Sequence, residues 1–497
     1  MENDNTKVSS LQFIRNVKYQ WSVETVADFL ENKLPHLDFD IDTSWYFERK
    51  SALEMLVDDK THHNSRDKSV MCLLLKHGAN PLRKRRRGGT IIQGILRNND
   101  SALIIEFLKY VKDINMLYGK STALHIAVER QLKDVVEYIV GRDADINKRS
   151  FNWCTPLHES VKSESADITK ILLENGAEID VKSETGQTPL HLAVEYNNLD
   201  QVRTLIINGA DVNSRDAVGR TPLHTLCFNN SFYFELYELL LQKCEVNAKD
   251  DKELTPLQYL IGLLPVNSST SKKKELINLF LKYGGNLHEP YRFVGTVLDA
   301  AAIMNHSVPF LTFLIEKIAD RTFADTGSAT FMDCMKYRSG KHKVKEVLKF
   351  LFVRECESKF KFNDDLLEFI ESDEQFIEFQ KSCENELSIL KGKNLRDNDP
   401  LSLFTVLSAN ERDLAKLYRQ YPSRTTGITD VTTKRFPIYG NDLVKNHKSA
   451  IAILEAEISI YDFLTKTSNN VLDQYSIYEI TKFIPTQDIV KIPLKLM

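Results

Sequence analysis

The chain has 497 residues, enough for about three ordinary domains, and its 42% hydrophobic and 27% charged residues are typical of a folded protein with an extensive core. Its formal net charge of −4 argues against a protein-wide attraction to nucleic acid or anionic membranes. No apolar run approaches the roughly 18 residues that span a bilayer, and no hydrophobic signal segment follows the polar start Met1–Asn5. We therefore expect a cytoplasmic and/or nuclear protein that is neither secreted nor inserted in a membrane.

The seven cysteines are scattered, and no Cys-x-x-Cys pair is present. This usage predicts free thiols in a reducing compartment and gives no sign of a zinc site. No glycine-rich phosphate loop and no Gly-x-Ser-x-Gly elbow occurs, so we expect no cofactor, no metal and no enzymatic activity.

Residues 1–45 are predicted to form an N-terminal helical cap, and residues 46–345 a series of helical repeats. The first units are irregular. Ser51–Glu54 precedes Leu73–Asn80, which reads as the end of a second helix, and Thr90–Gln93 begins another unit.

A basic run follows the end of the first of these units, where a hairpin tip is expected. It consists of Arg83, Lys84, Arg85, Arg86 and Arg87. Three interpretations stay open: a solvated tip, a nuclear localisation signal, and a site for an acidic partner, either protein or RNA.

The strongest signal is a tetrapeptide, Thr-Pro-Leu-His or a close variant, that begins at Thr122, Thr155, Thr188, Thr221 and Thr255. The steps between these threonines are 33, 33, 33 and 34 residues. Threonine suits a helix N-cap, and proline suits the first helical position, where its missing N–H has no cost. A second helix with apolar Val202, Leu205 and Ile206 then ends at Gly209.

This pattern resembles the ankyrin repeat, most specifically from about residue 114 to 258. The resemblance implies an all-α fold: a solenoid of about eight or nine helix-turn-helix units with β-hairpin fingers. Thr296 begins a weaker unit, and Thr330 a poorer one. The polar stretch 265–274 is predicted to be an exposed loop between the two helices of one repeat.

The histidines at 125, 158, 191 and 224 resemble a series of metal ligands, but one per 33 residues is too sparse for a shared metal. In ankyrin repeats this histidine ties neighbouring turns together, so we expect a structural role.

Binding of a target protein is the expected function, because variable residues on the fingers of such a solenoid select the partner. Trp153 is either an exposed anchor or is packed on Phe151 or on the adjacent finger. The candidate target-binding residues are Phe151, Asn152, Trp153, Glu184, Gln187, Arg215 and Arg220.

Residues 346–497 lose the 33-residue pattern and are predicted to form a separate helical domain. Asn363–Phe379 is expected to be an amphipathic helix. Further helices are expected at Cys383–Leu387 and from Ile451 to Phe463, with a loop over Tyr421–Arg435.

The order of features in this region resembles the PRANC domain, the C-terminal module of poxvirus ankyrin proteins that also occurs in parasitoid wasps. The matching stretches are Cys383–Leu387, Leu401–Leu407, Phe436–Tyr439 and the closing helices. PRANC domains end in a truncated F-box-like segment, here at about 470–497, which implies docking to the Skp subunit of a Skp–cullin–F-box ubiquitin ligase. The family's Leu-Pro pair is absent here.

The resemblance implies an adaptor that holds a target and recruits the ligase, and with it interference in a host–virus setting. The candidate docking residues are Glu479, Ile480, Phe483, Ile484, Asp488 and Ile489. Two alternatives stay open. The last helix merely closes the domain, or the chain is a stoichiometric inhibitor or scaffold that masks a signalling protein or transcription factor, as inhibitors of NF-κB do.

Overall fold

A computed structural model describes the protein at residues 10–33, 41, 50–58, 65–85, 89–97, 99–163, 165–229, 232–264, 268–291, 295–318, 331–332, 335–336, 340–357, 364–392, 403–409, 414–415, 438–439 and 441–453. The chain divides into two compact units. The first unit contains residues 1–263 and 275–286, and the second contains residues 264–274 and 287–497.

The first unit begins with helices α1 (Ser10–Tyr19) and α2 (Val23–Asp28), followed by a π-helical turn at Phe29–Lys33. The ring of Phe13 stacks on that of Phe29 at 5.0 Å. The guanidinium of Arg66 donates hydrogen bonds to the carbonyl oxygens of Val17 and Trp21, each at 2.7 Å. Arg66 thus pairs carbonyl groups at and beyond the end of α1, where a helix leaves its acceptors unsatisfied.

Pairs of helices then follow, each a first helix and a second helix, and residues 270–274 of the last helix belong to the second unit. They are α3 (Ala52–Asp58) and α4 (Ser65–Lys76), α5 (Ile91–Ile95) and α6 (Ser101–Lys109), α7 (Ala123–Glu129) and α8 (Lys133–Val140), α9 (Pro156–Ser160) and α10 (Asp167–Glu174), α11 (Pro189–Glu195) and α12 (Leu199–Ile207), α13 (Pro222–Phe228) and α14 (Phe234–Leu241), and α15 (Pro256–Leu263) and α16 (Thr270–Lys282).

The core of the helix pairs is apolar. The leucine of every Thr-x-Leu tetrapeptide from Leu124 to Leu257 is buried, as are Val202 and Leu205 on the inner side of α12. The second helix ends where the sequence predicts, since Gly209 adopts a left-handed conformation with φ +92°. The N–H of Ala210 then donates to the carbonyl of Leu205 at 3.0 Å, which closes the helix.

Hairpins connect consecutive pairs. One forms a two-stranded antiparallel sheet of β1 (Leu117–Tyr118) and β2 (Ser121–Thr122), in which Leu117 pairs with Thr122 and Tyr118 with Ser121. The described part of the chain is otherwise mostly helical, in agreement with the predicted all-α class.

The second unit contains another helix pair, α17 (Val297–Ile303) and α18 (Val308–Ile318). The prediction of an exposed loop over 265–274 is wrong from Thr270 onward, where α16 begins. Lys273 is fully buried at 0% exposure, with its ammonium 5.6 Å from the ring centre of Phe310. The long aliphatic stem packs as an apolar group and the ammonium faces an aromatic ring, so a lysine-rich stretch can be part of the core. Residues 265–267 and Thr330 lie outside the described residues.

The remaining helices of this unit are α19 (Lys341–Cys356), α20 (Asp364–Glu371), α21 (Glu374–Gly392) and α22 (Leu403–Ser408), and residues 441–453 are also helical. The single helix expected over 363–379 is divided at Ser372 and Asp373. The carboxylate of Asp373 accepts from the N–H of Gln375 at 3.0 Å, so it caps α21 and ends the run of α20. The phenylalanine rings at 369 and 376 stack across this break at 5.4 Å.

Two distant sequence stretches meet in this unit. The carboxylate of Glu386, which is buried on α21, accepts from the N–H groups of Ile438 and Tyr439 at 3.1–3.2 Å. Tyr439 is itself buried, and its hydroxyl donates to the carbonyl of Lys349 at 3.3 Å.

Candidate protein-binding surface

Each central repeat starts with the same hydrogen-bonded cap. In the unit of Thr188, the backbone N–H of Thr188 donates to Nδ1 of His191 at 3.2 Å, while the hydroxyl lies 2.9 Å from the same nitrogen. The N–H of His191 points back to the threonine hydroxyl at 3.5 Å. This is a capping box in which histidine replaces the usual glutamate, and it pairs amides that the helix leaves free.

The opposite nitrogen of each histidine reaches the next repeat, and we call these four contacts the histidine row. Nε2 lies 2.9–3.2 Å from a backbone carbonyl oxygen 29 or 30 residues further along the chain. The pairs are His125 with Cys154, His158 with Gln187, His191 with Arg220, and His224 with Leu254. The structural role predicted for these histidines is confirmed.

The hydrogen bonds fix the tautomer of these imidazoles. A carbonyl only accepts, so Nε2 carries the proton, and Nδ1 accepts from the threonine N–H. Burial lowers the pKa of His158 to about 4, and burial also lowers the pKa of the other three histidines. They are therefore neutral at pH 7.

A second set of contacts, the asparagine row, ties the start of each turn to the next repeat. Side-chain oxygens of Asn115, Asn147, Asn213 and Asn247 accept from backbone N–H groups of the following repeat at 2.7–2.9 Å, and Asp180 does so at 3.1 Å. Neighbouring fingers are also joined directly by backbone hydrogen bonds, such as that from the N–H of Phe151 to the carbonyl of Lys120 at 2.9 Å. The fingers therefore lie side by side in a fixed register.

One position near each finger tip has a left-handed backbone. Glycine occupies it at 186 and 219, with φ of 76° and 78°. A Cβ atom on Gly186 would lie 2.4 Å from the backbone nitrogen of Ala217, so the next finger leaves no room for a side chain there. Trp153 and Glu253 occupy this position in two other fingers, with φ of 57° and 64°.

We call residues 150–154 the aromatic finger. Phe151 is 66% exposed and Trp153 is 56% exposed. Cations lie against both rings: Nζ of Lys120 is 4.8 Å from the ring centre of Phe151, and the guanidinium of Arg149 is 5.4 Å from that of Trp153. The finger thus presents two aromatic surfaces flanked by positive charge.

The other predicted binding residues have internal partners. The backbone of Asn152 accepts from the N–H of Glu184 at 3.2 Å. The amide of Gln187 donates to Glu195 at 3.0 Å, and Arg215 donates to the carbonyl of Lys249 at 2.8 Å. Arg220 forms an ion pair with Asp216 at 2.9 Å. The side chain of Arg215 therefore joins two fingers, and those of Gln187 and Arg220 are held by contacts close in sequence, whereas Phe151 and Trp153 are exposed.

The basic run lies on the flank of an earlier hairpin. Lys84 forms an antiparallel bridge with Thr90, and the N–H of Arg85 donates to the carbonyl of Gly89 at 2.8 Å. The carbonyl of Arg83 accepts from the N–H of Ile91. Arg86 and Arg87 lie outside the described residues, as do all six candidate docking residues: Glu479, Ile480, Phe483, Ile484, Asp488 and Ile489.

Two features of this surface were not found from the sequence. Tyr196 and Phe228 are exposed at the ends of neighbouring first helices, and Arg220 lies 5.5 Å from the ring centre of Phe228. A cavity also lies beneath the finger at residues 118–121. Alignment of the repeats in steps of 33 residues would have placed Tyr196 at the end of its first helix, but nothing in one repeat alone signals a cavity between two.

Comparison with known families supports the repeat assignment. The family of single ankyrin repeats matches residues 120–151 and 218–251, and the family of three consecutive ankyrin repeats matches residues 148–216. No curated protein matches the chain. Ankyrin repeats are protein–protein interaction modules, so the matched region is defined as a module of that class.

Within the described ranges, His, Cys, Asp and Glu side chains do not gather in a group of three or more that could hold a metal ion. In the same part of the chain, none of the helices has both the length and the apolar character needed to cross a bilayer.

Proposed function

We propose that the protein binds a target protein through the aromatic finger and the surface beside it. The observation behind this proposal is the backbone of Trp153. A left-handed conformation costs a bulky residue about 1–2 kcal/mol relative to glycine, which occupies this position in two fingers. A tryptophan held in that conformation is still 56% exposed beside the guanidinium of Arg149, and exposed tryptophan is a favoured anchor in protein interfaces.

The role of the aromatic finger in binding can be tested separately from its contribution to folding. Trp153→Gly removes the ring and relieves the backbone, so we expect the free energy of unfolding to change by less than about 1 kcal/mol. Affinity capture with the full chain should then lose the partners that the wild type retains. Glu253→Gly makes the same backbone change in another finger and serves as the control, for which we expect unchanged capture. Equal capture by Trp153→Gly and the wild type would contradict the proposal.

We also propose that residues 346–497 form a PRANC-like module that recruits a Skp–cullin ubiquitin ligase to the bound target. The proposed domain order is the N-terminal cap at 1–45, the repeats at 46–345 and this module. The contact of Glu386 with residues 438–439 supports the assignment of a PRANC-like module, because this contact joins two of the stretches on which the resemblance depends. Such an adaptor acts by proximity, which raises the effective concentration of target near ligase.

Deletion of residues 465–497 distinguishes the adaptor from a stoichiometric inhibitor or scaffold. An adaptor should still bind its target but should no longer capture Skp or cullin subunits or promote ubiquitination. An inhibitor should mask its target equally well with or without the segment. If the full chain captures neither Skp nor cullin, the adaptor proposal is wrong and the inhibitor is favoured.

A cytoplasmic and nuclear distribution is part of this proposal, with the run from Arg83 to Arg87 as the nuclear signal. Replacement of all five bases by alanine should shift a fluorescent fusion toward the cytoplasm. An unchanged distribution would leave the run with a solvated or partner-binding role.

A further inference from the structure

A cavity of about 400 Å³ lies in the first unit, between the first helices α5 and α7 and beneath the hairpin that joins β1 to β2. Its lining comes from the end of α5, the hairpin, and the exposed side of α7. The residues that matter for its chemistry are Arg97, Tyr118, Lys120, Glu129 and Arg130.

The lining has more positive than negative charge. Arg97, Lys120 and Arg130 supply three cations, and Glu129 is the one acidic residue among the lining residues. Arg130 is held in place by a hydrogen bond from its guanidinium to the side-chain oxygen of Asn99 at 2.7 Å. A partly enclosed cavity with this balance attracts an anion, since low-dielectric walls strengthen the field of the cations.

Tyr118 forms part of the wall of this cavity. The residue is 4% exposed, and its hydroxyl is buried without a hydrogen-bond partner among the described residues. Because this hydroxyl has almost no accessible surface, an anion in the cavity would be bound by the cations and not by Tyr118.

The cavity adjoins the aromatic finger. Lys120 lines the cavity and also lies against the ring of Phe151, and its carbonyl accepts from the N–H of Phe151. A short peptide segment can therefore reach both features from adjacent residues.

We propose that this cavity binds an anionic side chain, a carboxylate or a phosphoryl group, from an acidic segment of the target protein, while apolar residues of the same segment contact Phe151 and Trp153. This inference rests on the proposed target-binding function and names the chemistry that the target must present. Arg97, Lys120 and Arg130 would neutralise the anion and donate hydrogen bonds to it.

The test uses the full chain and a random peptide library displayed on phage. The wild type should enrich peptides with aspartate or glutamate next to apolar residues. A selected peptide is then synthesised with its acidic residue as glutamate, as glutamine and as phosphoserine, and the dissociation constant of each form is measured. The glutamate and phosphoserine forms distinguish a carboxylate from a phosphoryl group as the preferred anion.

Two variants decide the outcome. Arg97→Gln/Arg130→Gln should weaken the anionic peptide at least about tenfold and leave the glutamine form unchanged. Lys170→Gln/Arg203→Gln removes the same charge from exposed positions on second helices and should change neither affinity more than about twofold.

Peptides without acidic enrichment, or equal weakening by the two double variants, would overturn the inference. In those cases, peptide binding that still depends on Trp153 would leave the proposed target-binding function intact. If instead the anionic peptides depend on Arg97 and Arg130 but not on Trp153, the proposed function of the aromatic finger is refuted and the inference about the cavity is not.

Discussion

The central repeats and the flanking units begin their first helices with different residues at the same position. The four central repeats have histidine three residues after the threonine, whereas the flanking units have Gln93, Gln258 and Asp299. All of these side chains accept from the threonine N–H, at distances between 2.6 and 3.4 Å. The cap therefore needs only an acceptor of the right reach.

Histidine adds something that the acceptor alone does not supply. Its second ring nitrogen lies on the far side of the imidazole and donates to the next repeat, as in the bond from His191 to the carbonyl of Arg220 at 2.9 Å. One residue thus stabilises both the start of a helix and the joint between two repeats. The difference teaches that the bond to the next repeat needs a ring nitrogen that donates, whereas the cap depends on a neutral imidazole whose Nδ1 accepts.

The largest expected effect is a loss of stability of the central repeats at low pH. The pKa of His158 is about 4 in the folded chain and about 6.5 when unfolded, so the unfolded state binds the extra proton first as the pH falls. Stability that is complete above pH 6.5 should decline down to about pH 4, with a contribution from His158 of about 3 kcal/mol. Urea unfolding at pH 7 and pH 4, followed by circular dichroism, measures this loss.

The variant His158→Gln is the control for that measurement, because glutamine keeps an acceptor for the cap and does not titrate. We expect the variant to lose less stability than the wild type between the two pH values. An identical loss in both chains would show that His158 is not the group that responds.

Substitutions of His191 should distinguish its contribution to the helix cap from that of its hydrogen bond to the next repeat, which we call the tie. His191→Ala removes both and leaves the carbonyl of Arg220 without its donor, so we expect a loss of about 2 kcal/mol. His191→Gln keeps the cap, as Gln258 does in its own unit, and should cost about 1 kcal/mol. The free energies of unfolding at pH 7 give both values. Equal losses would mean that the tie contributes nothing.

The flanking unit at Asp299 should respond to acid in the opposite direction. Oδ2 of Asp299 accepts from the N–H and hydroxyl of Thr296, but its buried Oδ1 has no hydrogen-bond partner among the described residues. Burial raises the pKa of Asp299, so the folded state binds a proton more readily than the unfolded state. Its contribution to stability should grow as the pH falls through the raised pKa toward 3.8.

Asp299→Asn removes the buried charge and keeps an acceptor for the cap. We expect a gain of less than about 1 kcal/mol at pH 7 and a smaller gain on acidification than in the wild type. Urea midpoints of the two chains at pH 7 and pH 4 are the measurement, and a variant that is clearly less stable at pH 7 would contradict the expected sign.

The caps and the histidine row could be predicted from the sequence because they depend on a spacing of three residues, repeated in steps of about 33. The conformation of Trp153 and the burial of Lys273 could not be predicted in the same way. Each depends on what the neighbouring element presents: the register of the next finger in one case, and the ring of Phe310 in the other. The cavity at Tyr118 likewise exists only between two repeats. The ligase-docking residues lie outside the described part of the chain, so their role stays a prediction.

The hydrogen bonds between repeats also have a mechanical consequence. The histidine row, the asparagine row and bonds such as that from Lys182 to the carbonyl of Arg215 at 2.8 Å each cross one joint between neighbouring repeats. A force applied along such an array would load the joints in series, so the weakest joint would yield first while the others stay closed. An optical-trap trace of this chain should therefore show rupture in steps of about one repeat, and acid should lower the force at which the repeats with a histidine cap unfold.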